Sequence, residues 1–415
     1  MEDTRKGASI AARAVARLLR SLSDPPIRIE LWNGESLGPP PARAVGTVRI
    51  RDARAALRLA ADLELEAGDL YTEGRIDLEG DPIAIVREVF KAGSARGFGR
   101  LLRPGRLTDW IRRTDSRSSR RNAQHHYDVG NEFYSLWLDE RMVYTCAYFP
   151  DPEDDLEHAQ VAKMEHVCRK LRLRPGEHVI EAGCGWGSLA LHMARHHGVT
   201  VRAVNVSHEQ VVYAREQAEK QGLQDRVEFA LDDYRNLAGR CDKFVSVGML
   251  EHVGPENYHT LGAVIDRVLA PHGLGLIHSM GLSQPGRMNR WLEQRIFPNA
   301  STPSLRQMMD IFEPRRFAVL DVENLRLHYA LTLRHWLSRY DEAWRRIREL
   351  VGDRRARAWR LYLAGTAAAF DEGVVHLFQV VFTRERNSRI PWTRAHLHPG
   401  DHDALAGRGD ARGVA

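Results

Sequence analysis

The stretch HVIEAGCGWGSLALHMA, from His178 to Ala194, constrains this chain more than any other. An apolar strand runs into three glycines at alternate positions, Gly183, Gly185 and Gly187, and an amphipathic helix follows. The pattern then repeats. Candidate strands lie at His178–Glu181, Thr200–Val206, Arg226–Ala230, Lys243–Val247 and Gly273–Ser279, with helical stretches such as Glu209–Gln221 and Tyr258–Leu269 between them. This alternation predicts an α/β fold, a parallel sheet with helices on both faces. Phe317–Val322 and VVHLFQVVFTR read as further strands, the second as the last of the sheet. Residues 329–372 between them are helix-rich, and the tail from Asn387 is polar.

The N-terminal part has a different texture. Residues 8–22 place Ile10, Val15, Leu18, Leu19 and Leu22 among Arg13, Arg17 and Arg20, a basic amphipathic helix. Such a helix either packs on its own domain or lies on a membrane surface. Ile27, Ile29 and Leu31 alternate before Asn33-Gly34, a strand and turn, and Val45, Val48 and Ile50 mark a second strand. Asp52 and Asp81-Pro82 read as helix starts. The expected organisation is a small α+β domain at 1–92, a basic linker at 93–122, a catalytic domain at 123–386 and a loose tail at 387–415.

With 415 residues the chain has room for two domains. Its net charge is +5, and much of the excess falls between Arg96 and Arg121, where only Asp109 and Asp115 oppose a run of arginines. That run is either a solvated linker or a contact for an anionic surface. No zinc-finger, RNP or KH signature accompanies it, which argues against nucleic acid. The four cysteines form no CxxC pair, so neither a disulfide framework nor a metal site is expected. No secretory signal or apolar span is legible, and a cytoplasmic location is expected.

The glycine loop limits the ligand. Its spacing is GxGxG, not the GxGxxG of a dinucleotide site, and it lacks the GK[ST] of a phosphate loop. Bare backbone admits a close ligand. The following helix N-terminus favours a carboxylate, and Glu181 before the loop suits an ammonium. S-adenosylmethionine meets both demands, although glycine turns follow many strands and the loop alone does not decide. Polar residues at the ends of the next two strands add to it: Asn205 and Gln210 after the second, Asp233 and Tyr234 after the third. Ligands bind at such strand ends in open α/β sheets.

Longer segments carry a family likeness. HYDVGNEFYSLWLDERMVYTCAYF (126–149), VIEAGCGWGSLA (179–190), VSVGMLEHVGPENY (245–258) and IFPNASTPSLRQ (296–307) together resemble the cyclopropane-fatty-acyl-phospholipid synthases and the mycolic acid cyclopropane synthases over roughly residues 120–385. The resemblance implies a class I methyltransferase, Rossmann-like, with a mostly parallel seven-stranded sheet. It implies methyl transfer from S-adenosylmethionine to a cis double bond of a phospholipid acyl chain, with bound bicarbonate as proton acceptor. Carried over by position, the bicarbonate site falls on Cys146, Glu251, His278, Met280 and Tyr329. The donor contacts fall on Tyr144, Thr145, Gly183, Gly185, Gly187, Asn205, Gln210, Asp233 and Tyr234. The likeness further implies work at an anionic membrane surface, peripheral to the inner face, and homodimerisation.

Two departures bear on the product. Many members carry a cysteine in the helix before the last strand, where this chain has Thr366, so a covalent cysteine mechanism is excluded. His328 precedes Tyr329 where an acid is common. A pocket changed in this way would release a methylene- or methyl-branched chain, or a furan precursor, in place of a ring. Two other readings stand further off: methyl transfer to a small amine or phenol, and a non-catalytic lipid-binding protein on a methyltransferase fold.

Overall fold

The computed structural model describes residues 2–94, 130–298 and 300–397. The basic run Arg96–Arg121, the start of the segment 126–149 and the tail beyond residue 397 lie outside them. The chain separates into two compact units that interleave in sequence: residues 1–138, 281–302 and 326–376 form one, and 139–280, 303–325 and 377–415 the other.

The first unit is built on a four-stranded sheet, β1 (Ile27–Leu31), β2 (Ser36–Leu37), β3 (Gly46–Ile50) and β4 (Ile76–Glu79), in the order β2-β1-β3-β4. Asn33-Gly34 turns β1 back onto β2, and Gly34 sits at φ +85°, where a side chain would be strained. β1 and β3 run parallel. Asp52 accepts a hydrogen bond from the Ala55 amide (2.9 Å) and opens the helix Ala53–Ala61, while Asp81 accepts from the Ile83 amide (2.8 Å) at the start of Pro82–Ser94. The helix Glu2–Ser21 buries Ala11, Val15 and Leu19 against Ile29, Ile50 and Leu59, and leaves Arg13, Arg17 and Arg20 exposed. Its apolar face therefore packs on its own unit.

The helix Asp353–Asp371 belongs to the same unit, and arginines fasten it to the sheet region. Arg357 lies 4.2 Å over the Tyr71 ring and donates to the carbonyls of Tyr71 and Ile76. The helix Arg290–Arg295 does likewise: Arg295 grips Asp69 through two bonds of 2.9 and 2.8 Å. The Trp291 ring lies where a Cβ on Gly68 would stand, 2.4 Å away. Phe133, Trp137, Trp336, Tyr340 and Trp359 of this unit form an aromatic cluster, edge-to-face except for the tilted pair Trp137–Trp359, with ring centroids 5.1–6.3 Å apart.

The second unit holds a seven-stranded sheet: β5 (His178–Ala182), β6 (Thr200–Asn205), β7 (Val227–Leu231), β8 (Cys241–Val247), β9 (Leu269–Gly281), β10 (Phe317–Asn324) and β11 (His376–Arg384). Its order is β10-β11-β9-β8-β5-β6-β7. The pairs β5–β6, β6–β7, β5–β8 and β8–β9 are parallel, and β10–β11 is antiparallel. β9 starts at Leu269, four residues before the expected Gly273, because Leu269 pairs with Cys241 ahead of a register shift. Strand order reverses between β5 and β8. The loops that leave these two strands define the switch point where such sheets bind ligands. Apolar side chains fill both faces of the sheet, as expected for buried parallel strands.

Candidate active site

The loop Gly183–Gly187 leaves β5 with all three glycines at positive φ, +84°, +53° and +89°. Each is bare for its own reason. A Cβ on Gly183 would stand 2.8 Å from the Met249 Cβ, and one on Gly187 would stand 2.6 Å from the Phe229 ring and 2.8 Å from Ala214. At Gly185 a Cβ would meet nothing within 4 Å. That glycine borders open space, and its backbone is what a ligand would approach.

Two buried polar atoms without partners belong to residues tied to this loop, one just before it in the chain and one joined to it through Asn205. Glu181 is buried, and its Oε2 has no hydrogen-bond partner. Burial pushes its carboxyl up to about 8, against the pull of Lys163 and of the Ala190 amide. Gln210 is also buried, with its Nε2 unpartnered. Asn205 is already engaged: its Nδ2 donates to the Gly185 carbonyl (3.1 Å) and to Gln210 Oε1 (2.7 Å), and its Oδ1 accepts from the Val206 amide (2.8 Å). Asn205 thus fixes the loop and aims Gln210. Asp233 accepts from the Arg235 amide and guanidinium, both at 3.0 Å, and that guanidinium lies 5.1 Å over the Tyr234 ring.

A second polar group gathers at the ends of β8 and β9. The Gly248 amide donates to the His278 carbonyl (3.0 Å), and the Met280 amide donates to Glu251 Oε1 (2.7 Å). Burial pushes the Glu251 carboxyl up, and hydrogen bonds from Met280 and Ser279 partly offset it. His278 is buried, which holds its ring well below the usual imidazole range and therefore neutral. The Gln379 amide donates to its Nδ1 (3.0 Å), so the ring proton sits on Nε2, and that atom has no partner.

Tyr144, Thr145 and Cys146 approach from another segment. The Thr145 methyl lies 2.8 Å from where a Gly248 Cβ would be. The buried Cys146 thiol donates to the carbonyls of Ala147 (3.1 Å) and Leu325 (4.0 Å). Tyr144 is half-buried beside them in sequence. Tyr329 belongs to the other compact unit, on the helix Arg326–Glu342, where its ring packs at a tilt against Phe370 (4.7 Å between centroids) and edge-on against Trp336 (6.0 Å). Thr366 is buried in that unit with its hydroxyl unpartnered.

Sequence reasoning missed three members of this region. Lys163 is buried on the helix Leu156–Leu171, donates to Thr145 Oγ1 (3.0 Å), and is pulled down to about 8 by burial, against nearby Asp139, Cys146 and Glu181. Asp139 is buried too and accepts from the Val143 (2.8 Å) and Arg141 (3.1 Å) amides; burial raises its carboxyl. Gln379 orients His278. The signal was present for two of them. Lys163 falls on the core stripe of its helix with Ala159, Gln160 and Val167, and Gln379 interrupts an apolar strand.

The family model described as mycolic acid cyclopropane synthetase matches residues 114–380. A "Probable fatty acid methyltransferase" of Pseudomonas putida is 35% identical over 386 residues, covering 90% of this chain and 96% of that protein. The "Cyclopropane-fatty-acyl-phospholipid synthase" of Escherichia coli strain K12 is 43% identical over 263 residues, 63% of this chain and 67% of that one. Among solved structures, the mycolic acid cyclopropane synthase CmaA1, complexed with SAH and CTAB, superposes with a TM-score of 0.61 at 26% identity over 64% of this chain and 98% of that one. The seven-stranded sheet is the class I methyltransferase fold.

Proposed function

Because the chain belongs to the mycolic acid cyclopropane synthetase family, we propose that it transfers a one-carbon unit from S-adenosylmethionine to the cis double bond of an unsaturated phospholipid acyl chain, closing a cyclopropane ring with bicarbonate as proton acceptor. The observation that carries the reading is a set of three unpartnered buried atoms, two beside the glycine loop and one at the end of β9. Glu181 Oε2 and Gln210 Nε2 beside the bare Gly185 fit an amino-acid-bearing nucleoside. His278 Nε2–H, with Glu251 bonded to Met280 next to it, fits a small oxyanion.

The donor, when bound, supplies an electrophilic methyl group, and bicarbonate supplies a base that is not itself a protein nucleophile. The chain's own residues hold, orient and dry the site. An alkene is a weak nucleophile without an acidic proton, so proximity and exclusion of water are what the protein contributes to attack. Glu181 and Gln210 would hold the donor, with Tyr144, Thr145, Asp233 and Tyr234 as further contacts. Asn205 holds Gln210 and the loop in place. Lys163 sets the position of Thr145 and balances Glu181. His278, kept neutral by burial and turned by Gln379, would donate its Nε2 proton in a hydrogen bond to the anion. The raised Glu251 carboxyl can hold a proton for the same purpose. Cys146 and Met280 are the further members of the proposed set in this unit; Tyr329, carried over from the family likeness, belongs to the other unit.

A second reading, the same attack with a methyl- or methylene-branched product, is favoured by the likeness to a fatty acid methyltransferase along nearly the whole chain and by Thr366. One experiment separates them: the purified chain with S-adenosylmethionine, bicarbonate and a monounsaturated phospholipid. Mass spectrometry reads the added carbon unit, and proton NMR tells ring from methylene or methyl. No mass gain, together with no binding of S-adenosylmethionine, would leave a non-catalytic lipid-binding protein.

We also place this work at an anionic membrane surface on its cytoplasmic side. The exposed Arg13, Arg17 and Arg20 of the helix Glu2–Ser21 support it. No helix among the described residues is long and apolar enough to cross a membrane. Binding to vesicles containing anionic lipid should weaken steadily with added salt; salt-independent binding counts against this placement.

A further inference from the structure

We propose that Glu165, Cys168, His192 and His197 form a binding site for a divalent metal ion of the zinc class, on two helices away from the ends of β8 and β9. The four donor atoms all lie within 4.8 Å of one another. Glu165 and Cys168 stand three apart on the helix Leu156–Leu171 and so share a face. His192 and His197 come from the helix Ser188–His197, the one that follows the glycine loop.

The geometry is close to what zinc needs. A tetrahedral ion with nitrogen and oxygen at about 2.0–2.1 Å and sulfur at about 2.3 Å sets neighbouring donors roughly 3.3–3.8 Å apart. Glu165 Oε2 already lies 3.3 Å from His192 Nε2 and 3.0 Å from His197 Nε2. Bringing Cys168 into contact needs a shift on the order of 1 Å. The mixed sulfur, nitrogen and oxygen set suits zinc or cobalt rather than magnesium or calcium, which prefer oxygen alone. Cys168 is fully buried in the core, while the Glu165 side chain is 36% exposed and leaves a side open for entry. Coordination replaces the two Glu165–histidine hydrogen bonds with bonds to a shared centre: each neutral imidazole then carries its single proton on Nδ1 instead of Nε2, and the Cys168 proton leaves to solvent. An ion there ties the helix that carries Lys163 to the helix that begins at the glycine loop.

Sequence gave no hint of this. The scattered cysteines argued against a metal site, because the ligand set spans two helices separated by a strand.

The test uses the full chain without a polyhistidine tag, stripped with a chelator and titrated with Co²⁺ and with Zn²⁺. The expected result is one ion per chain and a near-ultraviolet thiolate-to-cobalt charge-transfer absorption. Cys168→Ser should abolish that absorption, and His197→Gln should weaken zinc binding by about tenfold or more. His197 is partly exposed, so the second variant decides the matter if the first does not fold. Substoichiometric uptake, a cobalt spectrum without the thiolate band, or unchanged zinc affinity in His197→Gln would each overturn the site.

Discussion

The loop after β5 and the polar group at the ends of β8 and β9 are built by opposite means. The loop is one short contiguous run whose three glycines answer to local stereochemistry and to immediate packing. The polar group draws Cys146, Lys163, Glu251, His278 and Gln379 from five separate segments. Its members are oriented by long-range hydrogen bonds such as Gln379 to His278 and Met280 to Glu251. A site of the first kind can be read from spacing. A site of the second kind depends on the register of the sheet, since a slip of one residue in β9 would turn His278 to the other face.

The sharpest way to break this contrast is within the loop itself. Gly187→Val combines positive φ with a clash against Phe229 and Ala214, and should lower stability by about 3 kcal/mol or more, read from the denaturant midpoint. Gly185→Ala meets no neighbour, so its stability cost should stay near the ~1–2 kcal/mol of left-handed backbone, while affinity for S-adenosylmethionine falls further than stability does. Equal donor affinity in Gly185→Ala and the parent chain would remove the loop from the donor site.

The polar group should respond the other way, losing turnover while keeping fold and donor affinity. His278→Ala is expected to slow product formation by about 10²-fold, with the dissociation constant for the donor within a factor of two or so of the parent. Gln379→Leu, which frees the ring without removing it, should lose less, on the order of tenfold. Near-normal turnover in both would move the proposed base elsewhere.

Titration tests where the two regions meet, at Glu181 and Lys163. The Glu181 carboxyl is raised in the folded chain, so its contribution is fully present below about pH 4.5 and is lost as pH rises toward about 8. The Lys163 ammonium is lowered, so its contribution is present above about pH 10.5 and is lost as pH falls toward about 8. The melting temperature of the ligand-free chain should therefore pass through a shallow minimum near pH 8. Glu181→Gln should flatten the acid side and Lys163→Met the alkaline side; a profile unchanged by both substitutions contradicts the assignment.

The smallest effect is expected outside both regions. Thr366 keeps a buried hydroxyl without a partner, so Thr366→Val should change stability by about 1 kcal/mol or less and in the favourable direction. A loss of turnover there would mean that Thr366 takes part in choosing the product.

Much of the fold was legible. The strands from β5 to β8 fall within one or two residues of their expected limits, as does the Asp52 cap, because local patterns fix them. The basic amphipathic helix expected at residues 8–22 is found as Glu2–Ser21, but its two possible uses are separated only by the packing of Val15 and Leu19 on Ile29 and Ile50. Lys163 and Gln379 escaped notice for the same reason: a polar residue on a core face looks like a local irregularity until its distant partner is known.

By itself, the amino-acid order determined the period of each element, the bare backbone of the loop's alternating glycines and the family likeness, since all of these rest on neighbours in the chain. Only the tertiary structure decided that Asn205 would spend its amide on Gly185 and Gln210, that a lysine would be buried between Asp139 and Glu181, and that two histidines would meet a glutamate and a cysteine from another helix. Those outcomes are matters of distance across the sheet and between helices, and burial then sets the energy of each polar atom by whether a partner is in reach.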